Sequence, residues 1–169
     1  YYVSNDEWVI RKHAQMLSAA GVDVILLDVT NGYLYLNTVK TICEVYRKMR
    51  KEGARTPQIA FVLNGNALQK MADLYSQFYA KGLYKELWFQ PLVLCPPEGA
   101  TARIQNFFTV RHSWFSTKEG SNAWFGNGQD KWPWGDTYPQ SAGWHEAGRP
   151  ECIPVMPATH PTSNIGRSF

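Results

Sequence analysis

Two nearly continuous apolar segments, each ending in polar residues, constrain the fold of this chain more than any other feature. The first spans residues 22–31 (Val-Asp-Val-Ile-Leu-Leu-Asp-Val-Thr-Asn) and the second spans residues 57–64 (Pro-Gln-Ile-Ala-Phe-Val-Leu-Asn). Such runs are typical of strands that are covered on both faces, as in a parallel sheet. Segments with apolar residues at helical spacing precede, separate and follow them, at residues 6–20, 38–51 and 66–79. This alternation predicts an α/β fold with a parallel sheet.

Further extended segments follow along the chain. We expect two short pieces at residues 87–89 and 91–95, a strand at residues 104–110 and another at residues 152–157. The total of about five or six strands is smaller than the eight of a complete (β/α)8 barrel. We therefore predict a (β/α)8 TIM-type barrel that is incomplete in this chain. Residues 1–169 would form a single α/β barrel-type domain, part of a longer catalytic domain.

Polar residues stand where the first two strands end. Asp28 and Asn31 close the first strand, and Asn64 closes the second. Barrels and doubly wound sheets both place their sites at the carboxyl ends of the strands. The barrel is favoured because residues 28–32 (Asp-Val-Thr-Asn-Gly) lack the glycine-rich phosphate loop that follows the first strand of a dinucleotide-binding sheet.

Tryptophan is concentrated in the second half of the chain. Five of the seven tryptophans fall between Trp114 and Trp144, among Gly, Asn, Asp, His and Pro residues. A packed core does not require so much indole beside turn formers and carboxylates. Such loops are typical of a cleft that stacks on a flat polar ligand, most often a sugar, and performs acid–base chemistry. The other two, Trp8 and Trp88, lie on regular elements and are expected in the core.

The opening helix and strand resemble those of a known enzyme group. Residues 6–17 (Asp-Glu-Trp-Val-Ile-Arg-Lys-His-Ala-Gln-Met-Leu), followed by residues 19–28, are similar to the start of the glycoside hydrolase family 71/99-like barrels. This group contains endo-acting α-mannosidases and related α-glucanases and mannanases, all of them (β/α)8 enzymes. The resemblance is clearest over residues 1–64 and recurs more loosely at residues 130–134 and 143–146. It implies hydrolysis of glycosidic bonds and polysaccharide degradation.

The family 99 endo-mannosidases carry a Glu-Trp-His-Glu signature, whose two carboxylates are their proposed catalytic pair. Trp144, His145 and Glu146 match its last three positions. Gly143 stands at the position of the first glutamate, so this chain departs from the family there. The resemblance therefore carries only Glu146 over as a catalytic residue.

Glycoside cleavage requires two carboxyl groups, about 5–5.5 Å apart for retention or about 6.5–9.5 Å apart for inversion. One of them must stay protonated, which an apolar surrounding favours by raising its pKa. Among the acids of the second half, Asp136 and Glu146 each stand two residues after a tryptophan, Trp134 and Trp144 respectively. They are the predicted catalytic pair. The alternative for each is a loop cap or a salt-bridge partner.

The expected substrate-binding residues are polar or aromatic side chains at strand ends and in the tryptophan-rich region. They are Asp28, Asn31, Asn64, His112, Trp114, Trp132, Trp134, Trp144, His145 and His160. For Asp28 the alternative is capping of a neighbouring loop, and asparagine is also a common turn residue. The histidine spacing carries no metal-binding signature, so no metal and no cofactor are predicted.

Two other functions stay open. A non-catalytic carbohydrate-binding barrel would explain Gly143, and an unrelated metal-dependent barrel hydrolase would use the histidines. The net charge of +3 gives little support to nucleic-acid binding. No apolar run approaches the roughly 20 residues of a membrane span. The expected partner is thus a carbohydrate, and a secreted or periplasmic location is compatible with these features.

Overall fold

The computed structural model describes residues 3–95, 101–114, 132–133, 142–146 and 148–155. The chain divides into two compact units. The first comprises residues 1–93 and 99–109, and the second comprises residues 94–98 and 110–169.

The first unit alternates helices and strands. Its elements are α1 (Glu7–Ala19), β1 (Val24–Asp28), α2 (Leu36–Lys51), β2 (Gln58–Val62), α3 (Ala67–Leu74), a π-helical turn (Tyr75–Tyr79), a 3-10 turn (Lys85–Leu87), β3 (Trp88–Cys95) and α4 (Ala102–Phe107). The strands lie in the order β1-β2-β3. β1 and β2 are parallel, with Val24 opposite Gln58 and Asp28 opposite Val62. The prediction of a mixed α/β fold, with a parallel sheet interleaved with helices, is confirmed.

Local sequence signals set the bounds of the first helix. Asp6 is the N-cap of α1, and its carboxylate accepts a hydrogen bond from the Val9 backbone N–H at 3.1 Å. Gly21 follows the helix with φ of 79°, a left-handed conformation that glycine adopts without steric cost. The helix expected at residues 66–79 is divided between α3 and the π-helical turn.

The core of the first unit lies around β2. Ile59, Ala60 and Phe61 are fully buried on β2, which lies between β1 and β3 in the sheet. Phe61 packs edge-on against Phe78, with ring centroids 6.3 Å apart. Trp88 contacts this aromatic core through Tyr79, at a centroid distance of 4.5 Å, in agreement with its predicted core position.

Two expectations about burial are wrong. Trp8 is 82% exposed, because α1 buries Ile10 and Ala14 and a residue two positions before Ile10 lies about 200° around the helix. The apolar run of β1 predicts cover on both faces, yet Leu26 is 45% exposed and Asp28 is exposed. β1 lies at the end of the strand order and therefore receives less cover than β2.

Two strand predictions also change. The pieces expected at residues 87–89 and 91–95 form one strand, β3, in which Gln90 has φ of 45° immediately before Pro91. The strand expected at residues 104–110 is instead α4 followed by a strand that begins at Thr109. Phe108 is buried one residue after α4, where the backbone becomes extended, so an apolar run that resembles a strand is shared by two elements.

The second unit contains short strands. They are β4 (Thr109–Trp114), β5 (Trp132–Pro133), β6 (Gly143–Trp144) and β7 (Pro150–Cys152). β4 and β5 are parallel, with Ser113 opposite Trp132, and β6 and β7 are antiparallel. The strand expected at residues 152–157 thus begins and ends earlier, as β7. Within the part of the chain that the structure describes, no helix is long and apolar enough to cross a membrane.

Candidate functional site

Three side chains of the second unit form a charged and aromatic cluster. Arg111 on β4 donates from Nε and Nη2 to the two carboxylate oxygens of Glu151 on β7, at 2.7 and 3.1 Å. Trp132 on β5 donates its indole N–H to the same carboxylate at 2.7 Å. The guanidinium carbon of Arg111 lies 5.9 Å from the centroid of the Trp132 ring. We call Arg111, Trp132 and Glu151 the Glu151 cluster.

A β-bulge places Glu151 in this cluster. Gly143 of β6 lies opposite Cys152, and the next residue, Trp144, lies opposite Pro150. One step along β6 therefore corresponds to two steps along β7, and Glu151 is the extra residue. A bulge redirects side chains, and bulges are frequent beside active sites. The residues on either side of Glu151, Pro150 and Cys152, pair with β6. The Glu151 carboxylate instead binds Arg111 and Trp132.

The cluster fixes the ionisation state of Glu151. Hydrogen bonding from Arg111 is the main cause that holds the pKa of Glu151 below its ordinary value, with a further lowering from the Trp132 N–H and an opposing effect of burial. A carboxylate with a lowered pKa is ionised at neutral pH. Glu151 is therefore unsuited to donate a proton to a leaving group, and suited to orient the indole and the guanidinium that it binds.

Glu146 lies in the loop between β6 and β7 and is exposed. Its carboxylate pairs with Arg149 at 2.7 Å, and 63% of the Glu146 side chain and 77% of the Arg149 side chain are open to solvent. The Arg149 N–H also donates to the Glu146 carbonyl at 3.0 Å, which closes the turn. The salt-bridge alternative for Glu146 is thus present in the structure. Its catalytic role stays a prediction.

Gly143 occupies a restricted position at the start of the second unit's hairpin. Gly143 is buried and pairs with Cys152 at the start of β6. A glutamate there would place a carboxylate in a buried position, which is costly without a partner.

The predicted residues at the end of β1 lie in an exposed loop. Asp28 accepts a hydrogen bond from the Thr30 N–H at 2.9 Å, so the loop-capping alternative for Asp28 is realised. Its second carboxylate oxygen has no hydrogen-bond partner among the described residues. Asn31 donates to the Tyr35 hydroxyl at 2.8 Å and accepts from the Tyr33 N–H at 3.3 Å. Both functional groups of Asn31 are therefore engaged in ordering the loop.

The end of β2 adjoins this loop. Asn64 is half-buried, and a Cβ added to Gly65 would lie 3.8 Å from the Thr30 carbonyl oxygen. The carboxyl ends of β1 and β2 therefore meet, as expected for neighbouring parallel strands. Asp28, Asn31 and Asn64 belong to one edge of the first unit, in agreement with their predicted position.

Sequence reasoning missed three residues at this edge. Tyr33 and Tyr35 are 69% and 52% exposed, and their presence directly after the polar strand end is the signal that could have found them. Lys70 of α3 is 2% exposed and donates to the Val29 carbonyl at 2.8 Å. Burial lowers the pKa of Lys70, and the nearby charge of Asp28 opposes this shift. No sequence signal indicates that a lysine of an amphipathic helix is buried.

The other predicted residues are placed only in part. Trp132 and Trp144 are half-buried and His145 is exposed. His112 and Trp114 lie on β4, and their side chains are outside the described residues. Asp136, Trp134 and His160 also lie outside the described residues. The structure thus joins Trp132 to Glu151 and Arg111, and it leaves the Asp136–Glu146 pairing as a prediction.

The described residues include no group of three or more His, Cys, Asp or Glu side chains that could hold a metal ion. Cys43 is a buried thiol, and burial raises its pKa to about 12, so it is neither a ready ligand nor a nucleophile.

Comparison of the chain with protein-family models, with curated proteins and with solved structures found no match.

Proposed function

We propose that this chain is part of a (β/α)8-barrel glycoside hydrolase that cleaves glycosidic bonds of a polysaccharide or an oligosaccharide. Glu146 and Asp136 are the proposed catalytic carboxylates. The observation that carries the proposal is the Glu151 cluster, an indole held by a charged pair beside the hairpin that bears Trp144, His145 and Glu146.

The barrel is supported by the arrangement of the first unit. Its strands lie side by side in chain order, β1-β2-β3, and a helix follows each of the first two. A barrel wall requires this sequential order, whereas a doubly wound sheet reverses its order at the switch point. The polar residues at the carboxyl ends of β1 and β2 occupy the edge that a barrel uses for its site.

The Glu151 cluster supports a role for Trp132 in stacking on a sugar. The indole N–H is bound by the Glu151 carboxylate, so the ring cannot rotate freely about its side-chain bonds. A ring held in advance loses less conformational entropy when a ligand binds, which favours affinity. The pKa of Glu151 is held below its ordinary value, mainly by Arg111, so the proposed general acid must be another carboxylate.

Glu146, which lies 2.7 Å from the Arg149 guanidinium, is the proposed nucleophile or general base. Asp136 would then act as the general acid. A saccharide that stacks on Trp144 would remove water from the adjacent loop and strengthen the electrostatic interactions of Glu146.

The test compares E146Q and D136N with the parent chain on soluble α-mannan and soluble α-glucan, with reducing ends as the readout. Removal of a catalytic carboxylate should lower kcat/KM by at least about 100-fold. E119Q is the matched control, because Glu119 is an acid of the same half without flanking tryptophans. Parent-like turnover in both E146Q and D136N would refute the assignment of this pair.

A second function is favoured by one observation. The buried Gly143 occupies the position at which the resembling family has its first catalytic glutamate. A non-catalytic carbohydrate-binding barrel would retain the aromatic residues without that acid. Binding of either polysaccharide by the parent chain, without release of reducing ends, would establish this alternative.

A further inference from the structure

The loop that follows β1 presents a pair of exposed aromatic rings. Tyr33 and Tyr35 are 69% and 52% exposed, and their ring centroids lie 6.1 Å apart with an interplanar angle of 51°. Exposed tyrosines offer a flat apolar face and a polar hydroxyl in the same side chain. This pair lies at the carboxyl end of β1, the edge at which parallel α/β folds bind ligands.

Tyr35 is held in a conformation that its side chain disfavours. It has φ of 47° and ψ of 40°, in the left-handed region, and it occupies the N-cap position of α2 without a side-chain capping bond. Glycine, asparagine or aspartate would suit this left-handed position better. A residue kept in an unfavourable conformation where others would be more stable is a reason to look for a function.

The Asn31 amide contacts both tyrosines, the side chain of Tyr35 and the backbone of Tyr33. The Asn31 Nδ2 donates to the Tyr35 hydroxyl at 2.8 Å, and the Asn31 Oδ1 accepts from the Tyr33 backbone N–H at 3.3 Å. The Tyr35 ring and the backbone of Tyr33 are therefore held before any ligand arrives. Preorganisation of this kind reduces the entropic cost of binding.

Two hydrogen bonds hold Val29, the residue at which the loop begins. Lys70 is 2% exposed and donates to the Val29 carbonyl at 2.8 Å, while the Val29 N–H donates to the Val62 carbonyl at 3.0 Å. Asp28, adjacent to Val29, keeps one carboxylate oxygen without a hydrogen-bond partner among the described residues. The loop thus combines two neighbouring exposed rings with an exposed acceptor, and its first residue is held by two hydrogen bonds.

We propose that Tyr33 and Tyr35 form a subsite for one pyranose ring of a saccharide. The apolar C–H face of the sugar would pack on the tyrosine rings, and its hydroxyls would donate to Asp28. An anionic ligand is disfavoured by the same carboxylate. The choice of a saccharide rests on the proposed function, whereas the position of the subsite rests on the loop geometry alone.

The test measures dissociation constants by calorimetry for an α-linked mannotetraose and an α-linked glucotetraose. All variants carry E146Q, so that the probes are not consumed. Y33A and Y35N should each weaken binding of at least one probe roughly tenfold, the size expected for one aromatic contact. Asparagine tolerates the left-handed conformation, so Y35N removes the ring without disturbing the start of α2. Circular dichroism and the thermal midpoint verify folding.

Trp8 supplies the matched control. It is an exposed aromatic residue of the same unit, 82% accessible, and it lies on α1 outside the loop. W8A in the E146Q background should bind both probes with the same dissociation constants as E146Q alone. If Y33A and Y35N bind both probes as tightly as W8A, the subsite is refuted. Y35F keeps the ring and loses the hydroxyl that Asn31 binds. Its affinity for the probes should lie between that of E146Q alone and that of Y35N.

The outcomes separate this inference from the proposed function. Saccharide binding that depends on Tyr33 and Tyr35, in a parent chain without turnover, supports the subsite and refutes the hydrolase. Turnover that is abolished by E146Q and unaffected by Y33A and Y35N supports the hydrolase and refutes the subsite. A parent chain that binds neither tetrasaccharide refutes the subsite.

Discussion

Removal of the Glu151 carboxylate should destabilise the second unit by a measurable amount. E151A takes away two hydrogen bonds from Arg111 and one from the Trp132 indole. A buried hydrogen bond to a charged group contributes about 1.5–3 kcal/mol, and an exposed ion pair about 0.2–1 kcal/mol. The side chains of Arg111 and Glu151 are 17% and 31% exposed, so their hydrogen bonds are neither fully buried nor fully exposed. We therefore expect a loss of about 1–2 kcal/mol in the free energy of unfolding.

The pH dependence provides a sharper measurement. The Glu151 pKa is held below its ordinary value in the folded state, mainly by Arg111. The folded protein thus binds this proton less readily than the unfolded chain does, so the stabilisation is fully present above about pH 4.5 and is lost as the pH falls through the folded pKa. The difference between the parent chain and E151Q should be constant from about pH 7 to pH 5 and should shrink below that.

Urea unfolding followed by tryptophan fluorescence measures both effects. D23N is the matched control, because the Asp23–Arg55 pair is 3.9 Å long and both side chains are 83% exposed. It should leave stability unchanged. Equal stability of E151A and the parent chain, or a difference from E151Q that grows on acidification, would refute the role assigned to the Glu151 cluster.

Three further predictions concern the first unit. Cys43 should resist alkylation at about pH 8 in the native protein and react when unfolded, because burial raises its pKa to about 12; mass spectrometry of the alkylated peptide measures this, and equal labelling in both states would contradict the burial. Y35N should raise the free energy of unfolding by about 1 kcal/mol, because asparagine tolerates the left-handed conformation and is a good N-cap, and a lower thermal midpoint would contradict the strain argument. Burial lowers the pKa of Lys70 in the folded protein from its ordinary value of 10.5. The unfolded chain therefore keeps this proton to a higher pH than the folded protein does. The free energy of unfolding of the parent, relative to that of K70M, should thus rise between neutral pH and pH 10.5. The rise should be about 1.4 kcal/mol for every tenfold difference in proton affinity between the unfolded and folded states. A difference from K70M that is independent of pH in urea unfolding would refute the effect of burial on Lys70.

The succession of elements in the first unit could be predicted because its signals are local. The Asp6 cap, the Gly21 stop and the helical spacing of apolar residues each act within a few positions of the chain. The burial of individual residues could not be predicted in the same way. Trp8 is apolar and lies on a helix, yet the face that packs is the one carrying Ile10 and Ala14.

The residues of the candidate site, too, could be predicted only in part. Asp28, Asn31 and Asn64 could be placed at one edge, since parallel strands bring their carboxyl ends together. Glu151 could not be distinguished from the other acids, because its role depends on a bulge that offsets β7 by one residue against β6. β6 has two residues and β7 has three, too few for the alternation of polar and apolar residues to indicate a register shift.

The order of residues along the chain is enough to predict the α/β class, the succession of helices and strands around β1 and β2, and the polar edge at which those strands end. It does not predict which charged groups meet, because that depends on how distant segments pack. Arg111 and Glu151 are 40 residues apart in the chain, and Lys70 and Val29 are 41 apart. Periodicity and capping act over one or two turns of backbone, whereas these contacts form only when the folded chain brings such segments together.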